Sequence, residues 1–383
     1  MLPSQRHLFD IPDNIAYFNC ASNSPQLIES RERLIKGSTF KCHPWQRTPN
    51  HFFDDAETIR TLAAEIFGGD ADGYAIVPAA SYGISTAARA IEPSLKAGDQ
   101  ILIIAEEFPS NVLPWLRIAK ETNAQIVTVA KPDNENWTEA ILGKINSNVK
   151  VVAISACHWT NGEYIELPPI ANACRNIAAT LVVDATQVLA AMPFSMTELQ
   201  PDFLVAAGYK WLLSPYGFSL MYVSERWRDA RPLEESWLGR QKANSFVELV
   251  KYSDAYMPGA RRFDVGEKCT PTILPGAIAA LEQIEKWGID NIASSLLAIN
   301  QKITAQLDQL EFKIAKSKNR CPHMFGAMLP EHYKGDLVAK LAEQNIYLSQ
   351  RGKFIRFAPH LHNNEQDINH LLNALTKLVL KNQ

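Results

Sequence analysis

The sequence predicts an α/β fold, with a doubly wound, mostly parallel sheet and a smaller C-terminal α+β domain. Between about residues 74 and 223, short apolar runs rich in β-branched residues alternate with helix-like segments. Strands that are apolar on both faces and separated by helices are typical of a parallel sheet covered by helices. After residue 224 this alternation gives way to a polar, irregular stretch, and from about Pro275 apolar residues recur every three or four positions, as in a helix.

Seven runs are the predicted strands of the large sheet. In order they are GYAIVPAAS, QILIIAEE, QIVTVA, VKVVAIS, TLVVDATQ, DFLVAAG and SLMYVS. Helix-like segments such as YGISTAARAIE and LPPIANACRNIAA lie between them. We predict a large domain at residues 16–250.

The remaining residues, 1–15 and 260–383, are predicted to form the small domain. A helical region runs from about Pro275 to Leu310, followed by strands in FKIAKS and HMFGAMLP, a helix in YKGDLVAKLAEQ and strands in IYLSQRGKFIRFAP. The last helix opens at NNEQD, where Asn364 can cap it and Asp367 suits the positive end of the helix dipole.

The composition argues against several classes of partner. Lys and Arg total 38 against 41 Asp and Glu, and a net charge of -3 gives no basic surface for nucleic acid or anionic membranes. The N-terminus lacks a cationic start with an apolar run, and no window approaches a transmembrane length, so we expect a cytoplasmic protein. His360 and His362 are predicted to be exposed rather than to bind a metal, and no metal is expected.

The six cysteines show neither a CxxC pair nor zinc-ligand spacing, so we expect free and mostly buried thiols. They are Cys20, Cys42, Cys157, Cys174, Cys269 and Cys321.

Asp184 and Lys210 carry the strongest chemical signal, because each follows a predicted buried strand. Ligands of open α/β sheets bind at the carboxyl ends of the strands, where both side chains would lie. The two could simply pair with each other or lie apart on the surface. Alternatively, they could serve pyridoxal phosphate, which needs a Lys Schiff base and a carboxylate at its pyridinium nitrogen.

Two weaker features fit that cofactor. In VPAASYGIS a strand turns into a helix at Ala80 and Ser81, where small residues let backbone N–H groups approach a phosphate, although such residues are also common in packing. Phe108 follows the next strand and could stack on a cofactor ring or belong to the core.

Taken together, these residues resemble the class V aminotransferase family. The most specific segments are VVDATQ and GYKWLLSPYG, and the similarity runs from AYFNCASNSP to IRFAPHLHNNEQDI. The family comprises fold-type I pyridoxal phosphate enzymes, including cysteine desulfurases, kynureninase and isopenicillin N epimerase. The resemblance implies a fold-type I PLP-dependent transferase fold, a small amino-acid substrate and a homodimer.

The resemblance also implies roles around the cofactor ring. Lys210 would form the Schiff base, Asp184 would pair with the pyridine nitrogen, Gln187 would approach the phenolate oxygen and Phe108 would stack on the ring. At the phosphate, the resemblance implies contacts from Ala80, Ser81 and the Tyr209 hydroxyl.

On the substrate side, the resemblance implies that Arg356 binds the carboxylate and that Asn23 and Trp159 border the substrate. A guanidinium suits a carboxylate, although Arg356 could also be a surface residue of an edge strand. Many relatives have Gly-Thr where this chain has Gly266-Glu267. Because Glu267 would repel a phosphate, this chain departs from the family's pattern at the contact with the neighbouring subunit's cofactor.

Aminotransferase is the leading prediction for the reaction, and the alternatives are an amino-acid epimerase or a carbon–carbon or carbon–sulfur lyase. Desulfurases need a thiol just before the C-terminal arginine, and IYLSQRGKFIRFAP has none. Desulfurase action is therefore disfavoured unless the nearest upstream thiol, Cys321, folds into the site. A non-catalytic scaffold is the alternative from another class, but it gives no reason to keep the buried amine of Lys210.

Overall fold

The computed structural model describes residues 1–380 apart from the side chain of Ser317, so the last three residues of the predicted small domain lie outside it. The strands are β1 Ala16–Tyr17, β2 Tyr74–Val77, β3 Gln100–Ile104, β4 Gln125–Val129, β5 Val149–Ser155, β6 Thr180–Asp184, β7 Phe203–Ala207, β8 Ser219–Val223, β9 Lys313–Ile314, β10 Phe325–Met328, β11 Ile346–Tyr347, β12 Ser349–Arg351 and β13 Phe354–Phe357.

The α-helices alternate with these strands in the first half of the chain and flank them in the second. They are α1 Ile28–Lys41, α2 Asp54–Phe67, α3 Ala80–Ile91, α4 Leu113–Thr122, α5 Trp137–Leu142, α6 Leu167–Asn176, α7 Met196–Leu199, α8 Leu274–Trp287, α9 Ile289–Gln309, α10 Leu337–Ala342 and α11 Glu365–Leu380.

All seven predicted strands join one sheet, in the order β2-β8-β7-β6-β5-β3-β4. Only β8 pairs antiparallel with its neighbours, and the other pairings are parallel. Both faces of the sheet carry buried apolar side chains, which is why the strands read as continuous apolar runs. The predicted α/β fold is confirmed.

The small domain is built on a four-stranded antiparallel sheet with the order β12-β13-β10-β9. The N-terminal strand β1 pairs in parallel with β11, which joins the two ends of the chain. The helical region predicted as one segment is interrupted at Gly288, whose φ of 73° ends α8 and begins α9. α8 packs against α1 and α2, whereas α9 contributes to the core of the small domain.

Several smaller predictions can be compared with the structure. Asn364 Oδ1 accepts from the Asp367 N–H at 2.9 Å, and Asp367 Oδ2 accepts from the Asn364 N–H, so the predicted cap is confirmed. Five cysteines are buried and Cys42 is exposed, and all six are free. Within residues 1–380 no helix is long and apolar enough to cross a membrane.

The prediction that His360 and His362 are exposed is wrong, because both are buried. They lie near Trp211 and Phe9 in the interior, with His362 Nε2 3.0 Å from the Tyr17 carbonyl. Burial lowers the pKa of His360 to about 3 and that of His362 to about 4, so both are neutral at pH 7. Their spacing at a strand end does not indicate the aromatic residues, distant in sequence, that pack around them.

Candidate active site

A cleft lies at the carboxyl ends of the parallel strands and contains about 390 Å³ of space outside the atoms, part of it open to solvent. Its lining comes from residues at or just after the ends of β2, β3, β5, β6 and β7. They include Ala80, Glu107, Phe108, Ser155, Cys157, Trp159, Asp184, Thr186, Gln187, Tyr209 and Lys210.

Lys210 is 8% exposed and has no ion pair or hydrogen bond from its Nζ among residues 1–380. Its Nζ lies 5.5 Å from the centre of the Phe108 ring and 5.7 Å from that of Tyr209. Burial lowers the pKa of Lys210 to about 8, with repulsion from Arg356 adding to burial and attraction from Asp184 opposing it. The alternative in which Asp184 and Lys210 pair directly is wrong, because no contact within 4.0 Å joins them.

Asp184 ends β6 in the floor of the cleft, with Oδ1 accepting from the Thr186 backbone N–H at 2.9 Å. Burial raises the pKa of Asp184, while Thr186 and Lys210 oppose that effect. A second buried carboxylate, Glu107, accepts from the N–H groups of Phe108 and Ser155. Burial, followed by repulsion from Asp184, raises the pKa of Glu107 to about 7.

Three aromatic residues form one side of the cleft. Trp159 meets Phe108 edge to face at a centroid distance of 5.3 Å and donates from Nε1 to the Glu106 carbonyl. Tyr209 stacks on Tyr216 at 4.2 Å. The structure therefore places Phe108, Trp159 and Tyr209 where a flat ring could lie among them.

The predicted phosphate residues Ala80 and Ser81 are the first two residues of α3. No hydrogen bond occupies their backbone N–H groups within the described chain, as is usual at a helix N-terminus and suitable for an anion. Gln187 lies in the cleft, but its Nε2 donates to the Ala21 carbonyl and its Oε1 accepts from Trp211. Its contact with a phenolate oxygen stays a prediction.

Arg356 adjoins the cleft from β13 and is 1% exposed. Its Nη1 donates to the Trp159 carbonyl at 2.8 Å, whereas Nε and Nη2 are buried with no partner among the described residues. Burial, with repulsion from Arg351, lowers the pKa of Arg356 to about 9. Buried donors without acceptors are rare and costly, so this guanidinium has the donors for an incoming carboxylate.

Two residues predicted from the resemblance lie elsewhere. Asn23 is exposed and is not part of the cleft lining described above; its carbonyl accepts from the Tyr17 hydroxyl at 2.6 Å. Glu267 is exposed as well. The roles of both residues stay predictions.

Three residues of the cleft lining were not predicted from the sequence: Glu107, Thr186 and Cys157. Glu107 and Thr186 each lie within three residues of a strand end, the same signal that identified Asp184. Cys157 follows β5, but its sequence position does not distinguish it from the other buried thiols. Its neighbours Cys321 and His323 come from a segment more than 160 residues away, which no local pattern indicates.

The cleft fits pyridoxal phosphate on several grounds. It offers a carboxylate at Asp184, an aromatic side at Phe108 and, with no partner among residues 1–380, the buried amine of Lys210 and the helix N–H group of Ala80. These are the partners of the cofactor's ring nitrogen, ring face, aldehyde and phosphate.

Comparisons with known proteins agree with this fit. The family model for class V aminotransferases matches residues 36–367. A probable cysteine desulfurase of Pyrococcus abyssi (strain GE5 / Orsay) is 26% identical over 340 residues, which cover 84% of this chain and 83% of that protein.

Two solved structures of C-DES share the fold. One is a mutant with glycine covalently linked to the PLP cofactor, with a TM-score of 0.88, 19% identity and coverage of 98% of this chain and 99% of that chain. The other is the cystine C–S lyase C-DES with its reaction product cysteine persulfide, with a TM-score of 0.84, 20% identity and coverage of 96% and 98%. The predicted fold type is confirmed.

Proposed function

Because this chain belongs to the class V aminotransferase family, we propose that it is a pyridoxal phosphate enzyme that breaks the carbon–sulfur bond of a cysteine-type amino acid. The choice of carbon–sulfur cleavage rests on the similarity to a probable cysteine desulfurase across 84% of the chain. This reaction was an alternative to the aminotransferase in the sequence analysis, and the relatives favour it over that leading prediction.

The pyridoxal phosphate prediction is supported by the family, by the covalently bound cofactor of C-DES and by the groups in the cleft. When bound, the cofactor supplies an electron sink that makes the substrate α-carbon acidic. Lys210 would hold the cofactor and then act as the base that takes the α-proton. A pKa of about 8 leaves part of this amine neutral near pH 7, as a base requires.

The other residues of the cleft would bind and orient the cofactor and the substrate. Asp184 would keep a proton on the ring nitrogen, and a positive charge there would in turn favour the ionised carboxylate. Arg356 would bind the substrate carboxylate through Nε and Nη2, the two donors that lack a partner among the described residues. Phe108 and Trp159 would exclude water from one face of the ring.

The second candidate is an aminotransferase, favoured by the absence of cysteine from residues 346–357, where the family's desulfurases carry a thiol. An epimerase would use the same base and carboxylate site. A non-catalytic scaffold would not explain why Lys210 is buried without a partner in the described part of the chain.

An amino-acid panel tests the proposal. The purified protein, loaded with pyridoxal phosphate, is incubated with cysteine, cystine, alanine and aspartate in deuterated water. Alanine, pyruvate or sulfide formed from cysteine or cystine supports a lyase. Keto acid that depends on an added acceptor would instead establish an aminotransferase, and deuterium at the α-carbon without net product would establish an epimerase.

We also propose a cytoplasmic homodimer. Exposed apolar side chains at Trp45, Val247, Val250 and Tyr252 support a protein interface, and six free cysteines suit a reducing compartment. Light scattering of the purified protein would contradict the dimer if it gave the mass of one chain.

A further inference from the structure

A thiol lies in the wall of the cleft. Cys157 is 1% exposed and lines the same space as Lys210 and Asp184. It is close enough to Lys210 and Arg356 to affect the pKa of both. A substrate held between the base and the guanidinium would therefore lie beside this sulfur.

The thiol has two neighbours from the small domain, Cys321 and His323, and both are buried. His323 Nε2 donates to the Gln187 carbonyl, which fixes the proton on that nitrogen and leaves Nδ1 as an acceptor. Nδ1 is buried without a hydrogen bond among the described residues. The cluster therefore contains an unused base next to a thiol in the cleft.

Two glycines make this cluster possible. A side chain at Gly162, where φ is 72°, would approach the Met324 carbonyl oxygen to 2.5 Å, and one at Gly326 would approach Asn161 Cα to 2.7 Å. The turn after β5 and the segment before β10 consequently come into direct contact, with Cys321 N–H donating to the Gly162 carbonyl at 2.8 Å. This contact carries Cys321 and His323 to Cys157.

The surroundings favour a thiolate at Cys157. Burial raises its pKa, but Cys321 and His323, with help from the positive charge of Arg356, lower it to about 6. Burial raises the pKa of Cys321, so Cys321 remains the protonated partner. The other titratable groups that line the cleft are Glu107, Asp184, Tyr209 and Lys210.

We propose that Cys157 is a catalytic thiol that accepts the sulfur atom of the substrate, with Cys321 and His323 as positioning residues. The inference rests on the proposed carbon–sulfur cleavage and names the group that receives the sulfur. It also resolves the missing thiol before Arg356, because the thiol comes from the turn after β5 in the large domain.

The step balances without an outside oxidant. The Cys157 thiolate attacks the sulfur of a cysteine substrate, a sulfur–sulfur bond forms and the carbon–sulfur bond breaks. The electron pair of the broken bond stays on the substrate carbon, which takes up a proton and leaves as the methyl group of alanine. Two sulfurs are oxidised to the persulfide level, and one carbon is reduced. An external thiol then takes the terminal sulfur and restores Cys157.

This route gives a product pattern that simple elimination does not. Elimination converts cysteine and water to pyruvate, ammonia and sulfide and leaves the protein unchanged. With Cys157 as acceptor, a single turnover on one equivalent of cysteine per subunit should release one equivalent of alanine and no pyruvate, whereas excess cysteine would itself serve as the external thiol. Peptide mass spectrometry of that enzyme should then find one additional sulfur atom on Cys157.

Cysteine variants distinguish a catalytic role of Cys157 from a role in folding. In Cys157→Ser, alanine formation should fall at least ~100-fold, as for loss of a nucleophile, while the visible absorbance of the bound cofactor remains. Cys174→Ser is the matched control, because Cys174 is also buried but lies on α6 away from the cleft. Unchanged alanine formation in Cys157→Ser would overturn the proposal.

A second readout needs neither substrate nor turnover. In the cofactor-free protein, iodoacetamide should alkylate Cys157 with a midpoint near pH 6, below the 9.0 of an ordinary thiol, and His323→Asn should move this profile to higher pH. An unshifted profile would overturn the positioning role of His323.

The two proposals fail in different ways. If the wild-type protein cleaves no carbon–sulfur bond in any panel substrate, the proposed function fails. If it cleaves the bond but yields pyruvate, with no sulfur on Cys157, only the thiol proposal fails.

Discussion

The two sides of the cleft are built in different ways. The cofactor side consists of strand ends from one sheet, with Asp184 and Lys210 each at or near the end of a parallel strand. The substrate side depends on contacts between distant parts of the chain, such as Arg356 with Trp159, which are 197 positions apart. Local sequence patterns therefore indicate the residues that would bind the cofactor. The residues that would bind the substrate come together only when the two domains pack.

The strongest test of the cofactor side is Lys210→Ala. It should abolish the covalent link to the cofactor and lower turnover at least ~1000-fold, since both the link and the base are lost. Visible absorbance and initial rates measure the two effects. Lys120→Ala, on the exposed surface of α4, is the control, and a Lys210→Ala protein with wild-type absorbance would contradict the assignment.

The pH dependence of stability tests the burial of the same amine. The pKa of Lys210 is about 8 in the folded protein against 10.5 as its ordinary value. Between these pH values the unfolded chain binds a proton that the folded chain lacks, so stability rises with pH through this window. The cost of burying or deprotonating the Lys210 amine is fully present below pH 8. Raising the pH from 8 to 10.5 removes this cost and increases the free energy of unfolding by about 3 kcal/mol.

Urea unfolding of the cofactor-free protein between pH 7.5 and 10.5 measures this effect. Lys210→Met provides the reference, because the other titrating groups are common to both proteins. A stability difference that stays constant with pH would show that the amine does not lie in a site that disfavours its charged form.

The substrate side is tested by Arg356→Lys, which keeps the charge but loses the planar pair of donors. KM for the amino acid should rise about 10- to 100-fold, corresponding to the loss of a charged hydrogen bond, while the cofactor absorbance is unchanged. Arg117→Lys on the exposed face of α4 should leave KM as it is. A normal KM in the Arg356→Lys enzyme would place the carboxylate elsewhere.

The smallest expected effect is on stability, from a substitution at Gly162, where the turn after β5 contacts the segment before β10. Gly162→Ala and Gly98→Ala both introduce a side chain at positive φ. Only at Gly162 would the new Cβ collide with backbone, since a Cβ at Gly98 would meet no atom of another described segment within 4 Å. Gly162→Ala should therefore lose about 1–2 kcal/mol more free energy of unfolding than Gly98→Ala. Equal losses in urea unfolding would show that the approach of residues 158–163 to 321–326 can relax.

The same contrast explains what could be read from the sequence. All seven strands, the cap at Asn364 and the residues after the strand ends followed from periodicity and position. Cys157 and Cys321 could not be paired from the sequence, because their contact depends on two glycines that allow one backbone segment to approach another. The burial of His360 and His362 was missed for the same reason: the residues that cover them are distant in sequence.

The pairing of β1 with β11 has a consequence for the order of folding. Residues 16 and 17 can find their partners only after residues 346 and 347 exist, and Arg351 reaches Ser22 across a similar separation. Contacts with such long sequence separation form slowly, and chains are synthesised from the N-terminus. On a ribosome, all seven strands of the large sheet would thus be available to pair before Arg356, the proposed carboxylate-binding residue, had been translated.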